Sequence, residues 1–302
     1  MPSLVKKYKS PTSHLLNSGH SACAGCGLII VYRLVLDAAG KDIIVTNATG
    51  CSEVTTTQYP NTAFNVPWIH SLFENPSSIA SGILAALKVK GLADKINILV
   101  FGGDGATFDI GLGHISGMWE RGENALYICF DNEAYQNTGY QSSGSTPLDA
   151  NTTTTPPGKY SFGSQQVKKN MFSIALAHGL PYVATATTGY LVDITTKVKK
   201  ALTIKGPKYL QIYTPCIPGW GIEPNQTVSV AQMAVQSGFY PIVEYINGKL
   251  EKVQKITKPV PVEEFLKVQK RFKHLFKSPQ GQAEIAKIQK IADENIKKFG
   301  LI

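Results

Sequence analysis

The 302-residue sequence predicts a doubly wound, mostly parallel α/β sheet followed by a helical, basic C-terminal extension. Three observations carry this. Short, continuously apolar runs alternate with helix-length patterns, as parallel strands covered on both faces require. Glycine-rich or cysteine-bearing turns follow several of these runs directly, where a doubly wound sheet gathers its functional residues. Beyond residue 240 the alternation gives way to Lys-rich helical patterns with 13 Lys and Arg against 7 Asp and Glu, or +6 of the chain's +9.

The strand candidates are 42–46, 96–101, 125–130, 181–185 and 209–213. Between them, helix patterns cover 29–39, 77–90, 109–121, 170–178 and 191–204. Residues 137–163 are rich in Ser, Thr, Gly and Pro, and a loop that long is usually functional or disordered. A hairpin is expected around Asn247-Gly248, then helical patterns at 262–276 and 280–299. This divides the chain into an α/β domain, 1–240, and a subunit-contacting extension, 241–302.

With 43% hydrophobic and 17% charged residues, a sizeable core is available and wholesale disorder is excluded. No stretch of eighteen apolar residues offers a membrane span, and Met1-Pro2-Ser3 opens no secretory signal. The expectation is a soluble, cytoplasmic protein with no membrane partner. A basic excess confined to one end does not describe a nucleic-acid surface. Five cysteines without a signal peptide argue against a disulfide framework and for metal or redox chemistry.

Gly102-Gly103-Asp104-Gly105 lies directly after the 96–101 strand and leads into a helix. Glycines there let the backbone approach a phosphate, and a helix N-terminus favours the anion. Asp104 is a hard oxygen ligand suited to Mg²⁺ held between carboxylate and diphosphate. Asn132 follows Gly105 after 26 residues, at the end of the next strand, where its side-chain oxygen and the Ala134 carbonyl can meet the same cation. Alone, a Gly-Asp-Gly is most simply a turn with a capping aspartate.

Cys23-Ala24-Gly25-Cys26-Gly27 precedes a helix, Cys51 ends a strand, and Cys216 follows another. Such ends converge on one edge of a doubly wound sheet. Four thiolates hold either a zinc ion or a [4Fe–4S] cluster, and spacing does not separate the two. Cys129, mid-strand between Ile128 and Phe130, reads as a core cysteine.

Together these motifs resemble the β subunit of pyruvate:ferredoxin oxidoreductase and related 2-oxoacid:acceptor oxidoreductases. The shared stretches include Gly19-His20 through Gly27, Asn47 to Cys51, Asn65 to His70 with Phe73-Glu74-Asn75, Gly103 to Gly105, Asp131 to Gly139, Lys168 to Met171 and Pro215-Cys216. The resemblance implies the thiamine diphosphate-binding fold with an adjacent [4Fe–4S] cluster on Cys23, Cys26, Cys51 and Cys216. It places Mg²⁺ on Asp104, Asn132 and the Ala134 carbonyl. Gly103, Gly105, Ala106 and the 132–137 loop, with Tyr135, would meet the diphosphate or thiazolium, as would Cys51 and Thr138. Asn137 would face the substrate. The implied reaction is oxidative decarboxylation of pyruvate, with acyl transfer to coenzyme A and electrons passing to ferredoxin. It also implies an α subunit supplying the aminopyrimidine glutamate, together with further iron–sulfur or γ-type subunits.

The sequence departs from that pattern at Leu28, where fused relatives carry glutamate, and at Tyr140, Ser142 and Gly144-Ser145. The second departure allows a branched-chain 2-oxoacid or oxalate as substrate, or neutral drift. Glu53 and Glu74 read as structural carboxylates, and His70, His114 and His178 as buried, hydrogen-bonded histidines. Lys267, Lys270, Arg271, Lys273 and Lys277 form either a ferredoxin-docking face or a solvated or subunit-packing helix. Two further readings remain: a non-redox thiamine lyase, which leaves the cysteines unused, and a zinc-stabilised assembly protein with a degenerate thiamine site.

Overall fold

The computed structural model describes residues 14–302, so the leader reading at Met1 to Ser3 lies outside the described residues. In chain order the elements begin with α1 (Gly27–Ala39), β1 (Ile43–Asn47), α2 (Cys51–Val54), β2 (Trp68–His70) and α3 (Pro76–Val89). β3 (Asn97–Gly103), a π-helical turn at Gly105–Ile110, α4 (Leu112–Glu120) and β4 (Ala125–Asp131) follow. Beyond the long loop come α5 (Met171–Ala177), β5 (Tyr182–Thr187), α6 (Leu191–Thr203), β6 (Lys208–Tyr213), α7 (Ile217–Trp220) and α8 (Thr227–Gln236). The chain ends with β7 (Val243–Ile246), β8 (Lys249–Val253), α9 (Val262–Lys267), a 3-10 segment at Lys270–Lys277 and α10 (Pro279–Phe299).

The strands form one eight-stranded sheet in the order β2-β1-β3-β4-β6-β5-β7-β8. β1 to β6 pair in parallel, and β7 and β8 add an antiparallel hairpin at the β5 edge. β4 shows why the sheet is buried on both sides. Leu126, Ile128 and Phe130 pack with α1 and α6, while Ala125, Tyr127 and Cys129 pack with α3, α4 and α5. Cys129 is fully buried there, as expected for a core cysteine. Beneath α1, Tyr32 stacks on Phe101 at 5.1 Å and meets Phe130 edge-on at 4.3 Å. Burying each such ring is worth roughly 1.5–3 kcal/mol.

The strand order reverses between β1 and β3, and at such a point the carboxyl-end loops part to leave a crevice. The Cys51, Gly103–Gly105 and Asp131–Asn132 turns all leave the sheet there or one strand away.

Several expectations shift. The helix expected at 109–121 begins with the π turn at Gly105, one residue past Asp104. The helix expected at 262–276 is broken into α9 and a 3-10 segment. β2, three residues long, has no apolar run to announce it. The long loop carries no helix or strand beyond the Tyr135–Gln141 bridge, yet side-chain hydrogen bonds pin it to the sheet end. Leu28 packs into the core against α1's neighbours. Among the described residues, no helix is long and apolar enough to cross a membrane.

Candidate active site

A cavity of about 280 Å³ opens at the ends of β1, β3 and β4. Of the residues expected to contact the cofactor, Cys51, the Gly103-Asp104-Gly105-Ala106 turn, Asn132, Ala134 to Asn137 and Thr138 line it, while Glu133 of the 132–137 loop is buried away from it. Thr49, Gly50 and Phe73 join them. They lie in stretches the resemblance had marked, but no chemical signal had given them a role. Neither Glu53 nor Glu74 lines the cavity; Glu53 lies 3.8 Å from the His70 ring.

The Gly103 turn is shaped for close approach. A Cβ at Gly103 would meet nothing within 4 Å, so its missing side chain leaves room for a ligand rather than for a protein neighbour. The π turn that follows is tied back by the Thr107 hydroxyl, which donates to the Gly103 carbonyl at 2.7 Å. Tyr135 forms one wall, its ring 5.7 Å from Phe73 and its hydroxyl donating to Asp109 Oδ2 at 2.9 Å. Asn137 and Thr138 are exposed at the rim.

Three oxygen-bearing groups meet at one corner. The outer atom of the Asn132 carboxamide lies 2.8 Å from the Ala134 carbonyl oxygen and 2.9 Å from Asp104 Oδ1. An octahedral Mg²⁺ holding oxygens at 2.0–2.1 Å spaces adjacent ligands about 2.9 Å apart, so this corner fits that cation with Asn132 presenting its oxygen. The charge fits as well. Asp104 is only 1% exposed, and burial, reinforced by the negative charge of Asp131, holds its carboxyl well above the usual range. A buried carboxylate so disfavoured is one a divalent cation stabilises. The Ser143 hydroxyl donates to its other oxygen, Oδ2, at 2.5 Å.

Below this corner lies a buried ionic floor. Asp131 accepts from the Ser145 hydroxyl at 2.6 Å, the Lys168 ammonium at 2.6 Å and the Gln211 amide at 2.7 Å. Glu133, fully buried, accepts from Lys168 at 3.1 Å, Arg271 at 2.6 Å and the Tyr213 hydroxyl at 2.9 Å. Burial alone would raise the Glu133 carboxyl, but the Lys168 and Arg271 cations outweigh it and hold the group low. The departures at Gly144 and Ser145, with Ser143 beside them, thus anchor the loop: the Ser143 and Ser145 hydroxyls reach Asp104 and Asp131, and the Gly144 N–H reaches Asp109 at 3.0 Å.

The cysteines gather beside the cavity. Gly25, at φ +75°, packs so tightly on the Pro224 carbonyl that a Cβ would lie 2.1 Å from its oxygen, and the Thr227 hydroxyl donates to the Gly25 carbonyl at 2.5 Å. This docks the Cys23–Gly27 turn against the segment after Cys216. Burial, with the nearby Cys26, Asp104 and Cys23 charges, pushes the Cys51 thiol up to about 12. Burial likewise raises Cys26 and Cys216, and Cys51, Cys26 and Cys23 each add to the rise at Cys216. The four cysteines are thus near enough to influence one another's ionisation, and a cationic iron–sulfur centre would offset the cost of turning such buried thiols into thiolates. Among the described residues, no three His, Cys, Asp or Glu side chains form a group able to hold a single metal ion.

Other expectations are corrected. Arg271, assigned to an exposed basic face, is turned inward at 5% exposure, while Lys267, Lys270, Lys273 and Lys277 remain exposed. His70, His114 and His178 are exposed rather than buried, each hydrogen-bonded to a hydroxyl, of Thr49, Ser78 and Ser116 respectively.

Fold and cavity together define a thiamine diphosphate enzyme: residues 48–212 match the family described as "Thiamine pyrophosphate enzyme, C-terminal TPP binding domain". The chain is 51% identical over 293 residues to pyruvate synthase subunit PorB of Methanosarcina barkeri, covering 97% of this chain and 99% of that one. It is 44% identical over 266 residues to ketoisovalerate oxidoreductase subunit VorB of Pyrococcus abyssi, covering 86% of each. Within the thiamine enzymes, then, the chain belongs to the family of pyruvate synthase subunit PorB. A chain of the 2-oxoglutarate:ferredoxin oxidoreductase from Magnetococcus marinus, solved with 2-oxoglutarate, coenzyme A and succinyl-CoA bound, shares the fold. Its TM-score is 0.57 at 24% identity, over 70% of this chain and 69% of that one.

Proposed function

We propose that this chain is the catalytic β subunit of a cytoplasmic pyruvate:ferredoxin oxidoreductase, converting pyruvate and coenzyme A to acetyl-CoA and CO2. The observation that carries the reading is the meeting of Asp104 Oδ1, the Asn132 carboxamide and the Ala134 carbonyl in a cavity that Cys51 also lines.

Asp104, Asn132 and the Ala134 carbonyl would hold Mg²⁺, and Gly103, Gly105 and Ala106 would receive the diphosphate. Bound thiamine diphosphate supplies the electron sink that decarboxylation needs. The Tyr135 and Phe73 rings wall the cavity, 5.7 Å apart. Asn137 is exposed on the rim of the cavity and would face the substrate. Cys23, Cys26, Cys51 and Cys216 would carry a [4Fe–4S] cluster passing electrons toward ferredoxin.

The chain works with other subunits in this reading. An α subunit supplies the glutamate for the aminopyrimidine and much of the 2-oxoacid carboxylate site, and further iron–sulfur or γ-type subunits relay electrons. The exposed Lys267, Lys270, Lys273 and Lys277 of the 241–302 extension offer a surface to one of them. A branched-chain 2-oxoacid is the second reading, favoured by the 44% identity to a ketoisovalerate oxidoreductase subunit.

The test is anaerobic purification of the whole complex, with iron, sulfide and thiamine analysis and viologen reduction on pyruvate, 2-oxoisovalerate and oxalate, each with and without coenzyme A. Pyruvate turnover that needs coenzyme A supports the proposal. Preference for 2-oxoisovalerate moves it to the second reading. A colourless complex holding one zinc and no thiamine overturns both.

A further inference from the structure

We infer that Arg271, in the C-terminal extension, is a positioning residue for the cation corner and acts on it through Glu133. The inference rests on the thiamine reading above.

Glu133 stands between Asn132 and Ala134, whose carboxamide and carbonyl meet at the cation corner beside Asp104. Its φ is +65°, a left-handed conformation that costs a residue with a Cβ about 1–2 kcal/mol. That turn brings the Ala134 carbonyl oxygen and Asp104 Oδ1 to the same atom of the Asn132 carboxamide. Something must hold it, and the Glu133 carboxylate is where the structure grips. Of its cationic partners, Lys168 is shared with Asp131, while Arg271 makes its one carboxylate contact among the described residues here, at 2.6 Å.

Arg271 also reaches the other side of the turn. Its guanidinium lies 4.0 Å above the Trp220 ring, and the Trp220 indole N–H donates to the Asn132 carbonyl at 2.9 Å. Its Nε donates to Gln269 Oε1 at 2.9 Å, which fixes the plane of the group. One planar cation therefore bears on the Asn132–Ala134 turn from two directions, a geometry a lysine ammonium reproduces only in part. Residues 138 positions apart in sequence set the corner together.

The test uses the complete complex, titrated with Mn²⁺ in the presence of thiamine diphosphate and read by electron paramagnetic resonance, with thermal melting in parallel. Arg271→Met is expected to raise the Mn²⁺ dissociation constant by roughly 10- to 100-fold, as loss of an outer partner of a metal site does, and Arg271→Lys to recover part of it. Arg271→Met leaves Glu133 under-compensated, so Arg271→Met/Glu133→Gln is measured beside it. The double variant should melt near the unaltered complex and still bind Mn²⁺ weakly. Unchanged Mn²⁺ affinity in Arg271→Met overturns the inference, as does a double variant that regains affinity along with stability. If the unaltered complex binds no Mn²⁺ with thiamine diphosphate, the thiamine reading itself fails.

Discussion

The Ser143 hydroxyl donates to Asp104 Oδ2, while Oδ1 of the same carboxylate faces the Asn132 carboxamide. One oxygen is thus held by the long loop, and the other is the one the proposed cation would take. Ser143→Ala should free the carboxylate to rotate and raise the half-saturating Mg²⁺ about tenfold, with little change in kcat at saturation. A Mg²⁺ titration of viologen reduction decides it; an unmoved half-saturation point would show that the loop does not orient the ligand.

Asp104 should trade stability for function. Its carboxyl is held high by burial and by Asp131, so the metal-free protein loses stability as pH rises from the unfolded pKa toward the folded one. At pH 7 the metal-free Asp104→Asn variant should therefore be the more stable form, by about 1–3 kcal/mol. It should also lose the rise in melting temperature that Mg²⁺ with thiamine diphosphate gives the unaltered chain. Retention of that rise in the variant would remove Asp104 from the site.

The cysteines should divide by place. Single changes of Cys26, Cys51 or Cys216 to alanine should strip most of the iron and sulfide from the anaerobic complex. Cys129→Ala should leave both intact and cost about 1 kcal/mol of packing. Full iron content after Cys216→Ala would break the four-thiol assignment.

Lys208 supplies a pH signature unrelated to the active site. It is 2% exposed, bonded to Asn124 Oδ1 at 2.6 Å and the Ile204 carbonyl at 2.9 Å, and burial, with Lys205 nearby, lowers its pKa to about 8 from 10.5. The folded state sheds this proton first, so the group's destabilisation is complete below pH 8 and is relieved between about 8 and 10.5. Urea unfolding of the chain should show stability rising with pH in that window relative to Lys208→Met. Parallel pH profiles would mean the ammonium stays charged in the fold.

The parallel core was legible because strands such as β4 are uniformly apolar, and the cofactor turn because Asp104 and Asn132 fall at consecutive strand ends. β2 escaped because its residues, Trp68, Ile69 and His70, make neither an apolar run nor an alternation. Arg271 misled for a different reason. In a Lys-rich segment its charge reads as solvent-facing, and only its neighbours Phe272 and Leu275, both buried, hint that this turn faces the core. No local pattern announces a partner 138 residues away.

The distance between Glu133 and Arg271 also bears on the order in which the protein is made. The acidic turn emerges from the ribosome first, and its guanidinium 138 residues later. Among the described residues, the Glu133 partners made before Arg271 are the Lys168 ammonium, shared with Asp131, and the Tyr213 hydroxyl. Such long-range contacts form slowly, since a large loop must close before they are satisfied. The Asn132–Ala134 turn thus completes its set of ionic contacts only after Arg271 has been made.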